Sequence, residues 1–472
     1  MFSATATSLD SREPEFKAIV LALPDDSMFP LTERQSMPKA MLPIANKPML
    51  WYVLQWLEQG GILDIKIITT REAESDILNY IEVYKGVSNV TVKCMNEAHG
   101  TADTLRQLAP QIKSDVIVVP CDLIIDVPTT QFLDIFRMRR PAIATMFFET
   151  MKSEGGGGST KTNNSLPIVG IDQPSSRLVF IQDIKNDESK ESSTPMPIVQ
   201  KARKVKEDIA VPMTLVRKFP SMAISGKMQD SHVYVLQRWV LDYILANPEI
   251  TSLQDDLLPL FVDAQCNPDL CDEKDILKHM RSYMGRRVDK DMAGQFGMPD
   301  GAGIGGIDGD SDDPLKVFAY VRRGGIAGRA DQISRYCDLN SIVTKISLDK
   351  RVDPSAKLAH QTQIGMDSMV GASSQLDERC LVKRSVVGAH CIIGKNVNII
   401  NSVIMDHVTI GDGVDIVSCV VCKLAKIGNK VQLRDCEIGA TTSISDDVNL
   451  KGIAVPAGSG FSDDEGIQTE FV

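Results

Sequence analysis

The second half of the chain carries a periodic apolar repeat, and this repeat restricts the possible folds more than any other feature. Within each 17-residue period, successive apolar residues are spaced by six, six and five positions. The fifteen positions are Val370, Leu376, Val382, Val387, Ile393, Ile399, Ile404, Ile410, Ile416, Val421, Ile427, Leu433, Ile438, Ile444 and Leu450. A long α-helix is excluded, because steps of six positions would scatter these side chains around its axis. The pattern predicts a triangular coil with one strand per side, in which each inward side chain stacks on its equivalent one coil away.

Glycine follows several of these apolar residues, as we expect at corners where a side chain or an ordinary φ would not fit. Coils spaced by about 4.8 Å predict a prism roughly 20 to 25 Å tall. In the middle coil, Ile410 is predicted to point inward between Ile393 and Ile427. Asp412 is predicted to face solvent, where its replacement by alanine would cost less than about 0.5 kcal/mol. The period alone does not define the handedness of the coil.

The first half of the chain alternates short apolar runs with stretches of helical spacing. The runs FKAIVLAL, DIKIITT, NVTVKCM and DVIVVPCD are typical of buried strands, and KPMLWYVLQWLEQGG and TADTLRQLAPQI have helical periodicity. This alternation predicts an α/β domain in which helices cover both faces of a mostly parallel sheet. Ligands bind beyond the carboxyl ends of the strands in such folds, so the loops after AIVLAL and DVIVVP are predicted to border any binding site.

Changes in composition suggest the boundaries between these parts. Four consecutive glycines predict a flexible insertion at 151–166, and high Gly and Asp content predicts a disordered linker at 285–314. The GAGIGG motif in that linker follows no predicted strand, so it does not indicate a dinucleotide site. The predicted parts are a flexible N-terminus at 1–15, a sheet domain at 16–284, the linker at 285–314, a connecting segment at 315–363, the coil at 364–452 and a C-terminal tail at 453–472.

Charge and cysteine content exclude several classes of protein. The net charge of -11 and the pI of about 5.2 argue against a protein that grips a nucleic-acid backbone. The N-terminus lacks the features of a signal peptide and no 18 apolar residues run together, so we expect a protein of the cytosol with no membrane contact. Ten scattered cysteines do not indicate a disulfide framework, and the CxxC of Cys419 and Cys422 lacks a second pair for a zinc site.

With both halves considered, the chain resembles the sugar-phosphate nucleotidyltransferases that end in a hexapeptide-repeat β-helix. The family signature is Gly-Gly-x-Gly-Thr-Arg-Leu-x-Pro-Leu-Thr, followed by Pro-Lys-Pro and Leu-Pro segments. The matching residues are Pro30, Leu31, Thr32, Pro38, Lys39, Leu42, Pro43, Asn46, Lys47 and Pro48. The resemblance implies an α/β nucleotidyltransferase-like (Rossmann-like) domain over 16–284, followed by a left-handed parallel β-helix over 364–452.

The same stretch departs from the family at the loop that closes on nucleotide phosphates. On the simplest alignment, Ala22, Leu23 and Asp25 replace the three glycines, and Ser27 replaces the signature arginine. Side chains there would block the approach of backbone N–H groups to a triphosphate, and the aspartate would repel it. Losing two or three charge-assisted hydrogen bonds, at about 1.5 to 3 kcal/mol each, would weaken nucleotide binding by several kcal/mol.

Other positions of the nucleotide site are retained. The resemblance aligns Asp122 with the magnesium-binding aspartate of the family, and Gly100 and Thr101 with a nucleotide-contacting segment. Lys39 matches the lysine of the signature. Since one carboxylate seldom holds magnesium without substrate phosphates, we interpret these residues as remnants of a degenerate site. We therefore expect no catalytic residue, no metal and no cofactor.

A loop erased in this way is found in the gamma and epsilon subunits of eukaryotic translation initiation factor 2B, the guanine-nucleotide exchange factor for initiation factor 2. The segments LPIANKPML, DSHVYVLQRWVLDYI and SLQDDLLP look most like the gamma branch. Only positions 451–472 follow Leu450, which is too short a stretch for the helical exchange domain of epsilon. The resemblance implies a non-catalytic regulatory or scaffold subunit that pairs with epsilon and helps to bind initiation factor 2. It also implies a decamer with two copies each of the alpha, beta, gamma, delta and epsilon subunits.

Two functions of other classes stay open at this point. The chain could be an active mannose-1-phosphate guanylyltransferase, which would turn over GTP and a sugar phosphate with magnesium. It could also be a non-catalytic regulator that binds a sugar nucleotide in a weakened pocket without turnover. Direct contact with nucleic acid is not expected under any of these hypotheses.

Overall fold

The computed structural model describes residues 14–24, 26–33, 37–95, 100–149, 167–182, 211–283, 315–347, 351–462 and 466–468. Asp25, the predicted insertion at 151–166 and the predicted linker at 285–314 lie outside these residues, as does nearly all of the N-terminal segment 1–15. Within the described ranges, no helix combines the length and the hydropathy that crossing a membrane requires.

A seven-stranded sheet forms the centre of the first half. In spatial order its strands are Val317–Arg322, Ile143–Glu149, Met228–Leu236, Asp115–Pro120, Phe16–Ala22, Asp64–Thr69 and Asn89–Cys94. The strand Met228–Leu236 runs antiparallel to both neighbours and the other pairs are parallel, which confirms the prediction of a mostly parallel sheet. Apolar side chains of the strands contribute to two buried layers, and each layer also contains helices.

The helices and the smaller sheets surround this central sheet. The helices include Met49–Gln59, Arg71–Val83, Thr101–Leu108, Thr129–Arg139, Met213–Lys218, Arg238–Ala246, Leu258–Ala264, Pro268–Glu273 and Ile333–Ile346, and residues 276–283 are helical as well. Short 3₁₀ turns occur at Asp26–Met28, Lys39–Met41 and Ala109–Gln111, and a π-helix spans Leu253–Leu257. A three-stranded sheet contains Ile168–Asp172, Leu178–Gln182 and Met222–Ser225. Two antiparallel strand pairs join Pro43–Ile44 to Lys47–Pro48 and Leu123–Ile125 to Ala327–Arg329.

The segment 315–363, predicted to be a mere connection, contributes to both halves instead. Val317–Arg322 is an edge strand of the seven-stranded sheet, parallel to Ile143–Glu149. Its VFAYVR sequence is short, and the preceding Gly- and Asp-rich residues concealed it as a strand. The helix Ile333–Ile346, called the bridging helix below, then leads into the second half.

Three parallel sheets, stacked as triangular coils, build the second half, called the prism (residues 351–462). The first sheet contains Lys357–Leu358, Gln375–Leu376, Ile392–Ile393, Thr409–Ile410, Lys426–Ile427, Ser443–Ile444 and Gly460–Ser462, and a strand beyond the prism, Gly466–Gln468, pairs antiparallel with Gly460–Ser462. The second contains Gln363–Ile364, Leu381–Lys383, Asn398–Ile400, Asp415–Val417, Gln432–Arg434 and Asn449–Lys451. The third contains Met369–Val370, Val386–Val387, Val403–Ile404, Val420–Val421, Glu437–Ile438 and Ala454–Val455. This arrangement is consistent with the left-handed β-helix that the resemblance implied.

The prism begins earlier and ends later than the apolar repeat indicated. Leu358 pairs with Leu376 and Ile364 pairs with Val382, so the first coil is one residue longer than the others and breaks the period. At the other end Ile444 pairs with Phe461, which continues the period into the predicted tail 453–472. The apolar repeat did not predict these two coils, because the first has one extra residue and the last has Phe461 at the inward position.

The middle coil confirms that Ile410 is buried and that Asp412 is exposed, and it shows a contact of Asp412 that the sequence did not indicate. Ile410 is buried and lies in register between Ile393 and Ile427. Asp412 is exposed, but its Oδ1 atom accepts a hydrogen bond from the backbone N–H of Lys395 at 2.6 Å. The carboxylate therefore joins two coils, so we expect its loss to cost more than the almost neutral value predicted from the sequence.

The corner glycines are required for space and not for their φ angle. A Cβ atom on Gly411 would lie 2.8 Å from the backbone of Gly428 and 2.6 Å from the Oδ1 atom of Asn429 in the next coil. The left-handed backbone conformation occurs a few residues before these glycines, at residues such as His407 and Leu424. Close stacking of the coils, and not a turn conformation, thus explains these glycines.

One face of the prism packs on the first half of the chain. Its outward valines Val386, Val403 and Val420 belong to one buried cluster with side chains of the bridging helix and of the segment 28–49. Two hydrogen bonds cross this junction directly. The side-chain amide of Asn46 donates to the carbonyl of Val387 at 3.1 Å, and the N–H of Ala457 donates to Glu33 Oε2 at 2.8 Å.

Candidate functional site

A cavity of about 290 Å³ opens beyond the carboxyl ends of the strands Phe16–Ala22 and Asp115–Pro120, where the sequence predicted any binding site to lie. Its lining residues include Leu23, Pro24, Lys39, Thr101, Cys121, Asp122, His232, Tyr234, Ser252, Asp255 and Arg329. A larger cavity of about 840 Å³ lies beside the three-stranded sheet, but it contains none of the predicted site residues. The smaller cavity is therefore the candidate site.

An ion-pair triad occupies the centre of this cavity. The Lys39 ammonium lies 2.8 Å from Asp122 Oδ2. The Arg329 guanidinium donates to both oxygens of Asp122, from Nε to Oδ1 and from Nη2 to Oδ2, each at 3.0 Å. The side chains are 6%, 1% and 12% exposed for Lys39, Asp122 and Arg329. Both oxygens of a fully buried carboxylate are thus held by cationic side chains.

The charges of the triad stabilise one another in their ionised forms. Burial raises the pKa of Asp122, but the Arg329 and Lys39 charges and hydrogen bonds outweigh burial and hold the pKa well below its ordinary value. Burial likewise lowers the pKa of Arg329, and the Asp122 carboxylate raises it by more. At neutral pH the triad is therefore a buried carboxylate between two cations, with one positive charge in excess.

The residues around Asp122 do not fit the magnesium ion that the family resemblance implies. Magnesium requires octahedral oxygen ligands and usually keeps several waters. Here both oxygens of Asp122 bind cationic groups, and the nearby Asp230 accepts hydrogen bonds from the Tyr234 hydroxyl at 2.6 Å and the His232 N–H at 2.9 Å. Among the described residues no group of three or more His, Cys, Asp or Glu side chains forms a metal site.

The retained segment at Gly100 and Thr101 contacts the chain itself. A Cβ atom on Gly100 would lie 2.2 Å from the carbonyl oxygen of Thr251, so the glycine is needed for this close approach. The N–H of Ala102 donates to the same carbonyl, and the hydroxyl of Thr101 accepts from the N–H of Leu253, both at 2.9 Å. The loop and π-helix from Thr251 onward therefore form a wall of the cavity.

The positions that align with the phosphate loop of the family are arranged as follows. Ala22 is buried at the end of its strand, and the half-buried Leu23 lines the cavity with its apolar side chain. Ser27 is exposed, and its hydroxyl donates to the carbonyl of Asp331. Asp25 lies outside the described residues. Of the predicted site residues, the cavity brings together Leu23, Lys39, Thr101 and Asp122, with Gly100 beside them.

Arg329 is the residue of the site that sequence reasoning missed. It lies 207 residues after Asp122, at the end of the short strand Ala327–Arg329, in a segment predicted to be a connection. No spacing rule joins it to Asp122. The only available signal was the general rule that a buried carboxylate needs cationic or hydrogen-bonding partners.

Comparisons with known proteins agree with both halves of the fold. The family profile described as Nucleotidyl transferase matches residues 26–166, and the profile described as EIF2B subunit epsilon LbH domain matches residues 351–450. The chain is similar to proteins named translation initiation factor eIF2B subunit gamma from three organisms. Identity is 29% with the Schizosaccharomyces pombe protein, over 78% of this chain and 74% of that protein. It is 27% with the Caenorhabditis elegans protein (54% and 60%) and 26% with the Dictyostelium discoideum protein (75% and 82%).

Weaker matches reach two other kinds of protein. A Dictyostelium discoideum protein named eIF2B subunit epsilon is 24% identical over 54% of this chain and 34% of its own length. A Saccharomyces cerevisiae mannose-1-phosphate guanyltransferase is 24% identical over 48% of this chain and 51% of its own length. The similarity to the proteins named gamma is therefore stronger than the similarity to an enzyme of the nucleotidyltransferase fold.

Proposed function

We propose that this chain is a gamma subunit of translation initiation factor eIF2B. It serves that complex as a regulatory and scaffold subunit and has no nucleotidyltransferase activity of its own. The family assignment rests on the three relatives named gamma and on the two profiles that cover the sheet domain and the prism. The eIF2B complex exchanges GDP for GTP on initiation factor 2, and exchange works by binding the nucleotide-free form more tightly. A subunit without exchange chemistry contributes by holding partners in place.

The absence of catalysis is supported by one observation, the ion-pair triad at Asp122. A nucleotide with magnesium would have to remove Lys39 and Arg329 from the carboxylate. Separating one partner from a buried ion pair costs about 3 to 5 kcal/mol. Leu23 places an apolar side chain beside the triad where the family has glycine, and a side chain there opposes the close approach of phosphates to backbone N–H groups. Both features oppose nucleotidyl transfer in this cavity.

The proposed partners are the subunits of the same complex. We place the chain beside an epsilon subunit, in a cytosolic decamer with two copies each of alpha, beta, gamma, delta and epsilon, which takes initiation factor 2 as its substrate. The prism offers surface for such contacts, because one of its three faces packs on the sheet domain and the other two carry exposed residues such as Thr409, Lys426 and Gln432. The strands of the first coil also pair on one side only, and a free strand edge is a site for association.

The test combines an activity assay with a native pull-down. The purified full chain, given GTP, mannose 1-phosphate and magnesium, is expected to release no pyrophosphate, while a mannose-1-phosphate guanyltransferase assayed beside it does. Mass spectrometry of the tagged chain isolated from its own cells is expected to identify the other eIF2B subunits. Steady pyrophosphate release would establish the guanylyltransferase alternative, and calorimetric binding of a GDP sugar without turnover would establish the regulator. Recovery without any eIF2B subunit would refute the scaffold role.

A further inference from the structure

The two cations that hold Asp122 lie on segments that continue directly into the junction with the prism. Lys39 opens the turn Lys39–Met41, which leads to Pro43 and Ala45. The carbonyl of Pro43 accepts a hydrogen bond from the Tyr336 hydroxyl at 2.6 Å, and the N–H of Ala45 donates to Asn340 Oδ1 at 3.0 Å. Both partners belong to the bridging helix. The chain is thus attached to the bridging helix within a few residues of Lys39.

Arg329 begins the second of these segments. The next residue, Ala330, donates its N–H to the carbonyl of Asp122 at 3.0 Å, so both the side chain and the backbone of Asp122 hold this strand end. Ala330 is fully buried in the junction cluster. The bridging helix follows, and its Leu339 and Val343 belong to the same cluster as the outward valines of the prism.

We infer that Asp122 is the anchor of a clamp, the Lys39–Asp122–Arg329 triad, which sets the orientation of the prism relative to the seven-stranded sheet. Asp122 follows the central strand Asp115–Pro120, and its two cationic partners bring both junction segments onto that strand. Because the triad is buried, its interactions are screened little by water or salt. Asp122 is thus a positioning residue in this chain and not a ligand for a metal. The direct contacts of Asn46 and Glu33 with the prism would remain without the clamp, so its loss loosens the junction but does not separate the halves.

A distance measurement on the full-length chain tests the clamp. Spin-labelled non-natural amino acids replace Val83, an exposed residue of the sheet domain, and Lys426, an exposed residue of the prism. The variant called the neutral triad combines Lys39→Met, Asp122→Asn and Arg329→Met, which removes all three charges and leaves none unpaired. The clamp predicts that its Val83-to-Lys426 distance distribution is at least about twice as wide as that of the wild type.

A second ion pair of the same domain supplies the matched control. The Lys17 ammonium lies 2.9 Å from Asp64 Oδ2, and the side chains are 18% and 29% exposed. Neither residue belongs to the junction cluster, and both lie on neighbouring strands of the seven-stranded sheet. The double variant Lys17→Met with Asp64→Asn is therefore expected to keep the wild-type width. An unchanged width in a folded neutral triad, or equal broadening in the control, would overturn the clamp.

Hydrogen exchange of the unmodified protein tests the clamp even if the neutral triad does not fold. The amides of Ala45 and Ala330 lie on the two segments that the clamp unites. They are expected to open in one event, with protection factors that agree within about threefold and fall together in dilute urea. Protection factors that differ by more than about tenfold, or that respond separately to urea, would mean that the segments are held independently and that Asp122 does not unite them.

Discussion

The prism and the triad cavity are held together in opposite ways. In the prism, each inward side chain meets a similar side chain one coil before it and another one coil after it, so the same contact is made many times. In the cavity, Asp122 meets one lysine and one arginine, the latter 207 residues away, and no other part of the described structure repeats this arrangement. A repeated contact can be predicted from the sequence, and a substitution there disturbs only the neighbouring coils. A unique contact joins segments that are distant in the chain, and the sequence does not indicate it.

The largest effect is expected when the repetition itself is broken at Ile410. Ile410→Asp buries a carboxylate that no cation faces in the prism core, which we expect to lower the free energy of unfolding by about 5 kcal/mol or more. Thr409→Asp is the matched control, since Thr409 is the outward neighbour on the same strand and should cost less than about 1 kcal/mol. Urea unfolding measures both. Similar values for the two variants would contradict the inward position of Ile410.

A smaller effect is expected at Asp412, where the structure shows a contact that the sequence did not indicate. Asp412→Ala removes the acceptor for the Lys395 N–H, and the loss of a charge-assisted hydrogen bond at an exposed site should cost about 1 to 1.5 kcal/mol. Asp412→Asn keeps an acceptor and should cost less than half as much. Thermal unfolding of the two variants provides the measurement. If the alanine variant were as stable as the wild type, the contact between the two coils would contribute nothing to stability.

The smallest effect is expected in the pH dependence of stability, which the buried carboxylate of the cavity should change and the exposed carboxylate of the prism serves to compare. The pKa of Asp122 is lower in the folded chain than the unfolded value of about 3.9, so its ionisation stabilises the fold above that pH, and this contribution is lost as the pH falls. Between pH 5 and 7 we expect a constant stability difference between the wild type and the neutral triad. At pH 3 the difference should shift by about 1 kcal/mol in favour of the neutral triad.

Urea midpoints measured from pH 7 to pH 3 check this expectation. The same series on Asp412→Asn is the comparison from the prism, where the carboxylate is exposed and accepts a single backbone hydrogen bond. A shift that begins above pH 5, or no shift by pH 3, would mean that the Asp122 carboxylate is not held in its ionised form by Lys39 and Arg329.

Most of the prism could be predicted from the sequence because its contacts are periodic. The positions from Val370 to Leu450 form the coils that their spacing indicated. The first coil was not predicted because its one extra residue puts Leu358 and Ile364 out of phase with the 17-residue period. The hydrogen bond of Asp412 was not predicted because a polar side chain that joins two coils adds nothing to the apolar pattern. A pattern of hydrophobic residues describes the inside of such a coil and says little about its corners.

Only the part of the cavity formed by the strand ends and the motif residues could be predicted from the sequence. The strands ending at Ala22 and Pro120 and the matching motif residues predicted a site near Leu23, Lys39 and Asp122. The strand Val317–Arg322 and the neighbouring Arg329 were missed, since pairing across a sheet or a buried ion pair joins residues whose separation in the chain carries no information. The internal use of Gly100 by the Thr251 carbonyl was hidden for the same reason.

The arrangement of Asp122 between two cations limits which substitutions this cavity can accept. Any single substitution that frees the carboxylate for a metal leaves the other cation, or the carboxylate itself, in an altered buried environment, at a cost of several kcal/mol. Total stability is only about 5 to 15 kcal/mol, so most single substitutions that would open a metal site here would leave a poorly folded chain. Substitutions on the surface, away from the triad and from Leu23, do not carry this cost, so the surface of the chain can vary more freely than this cavity.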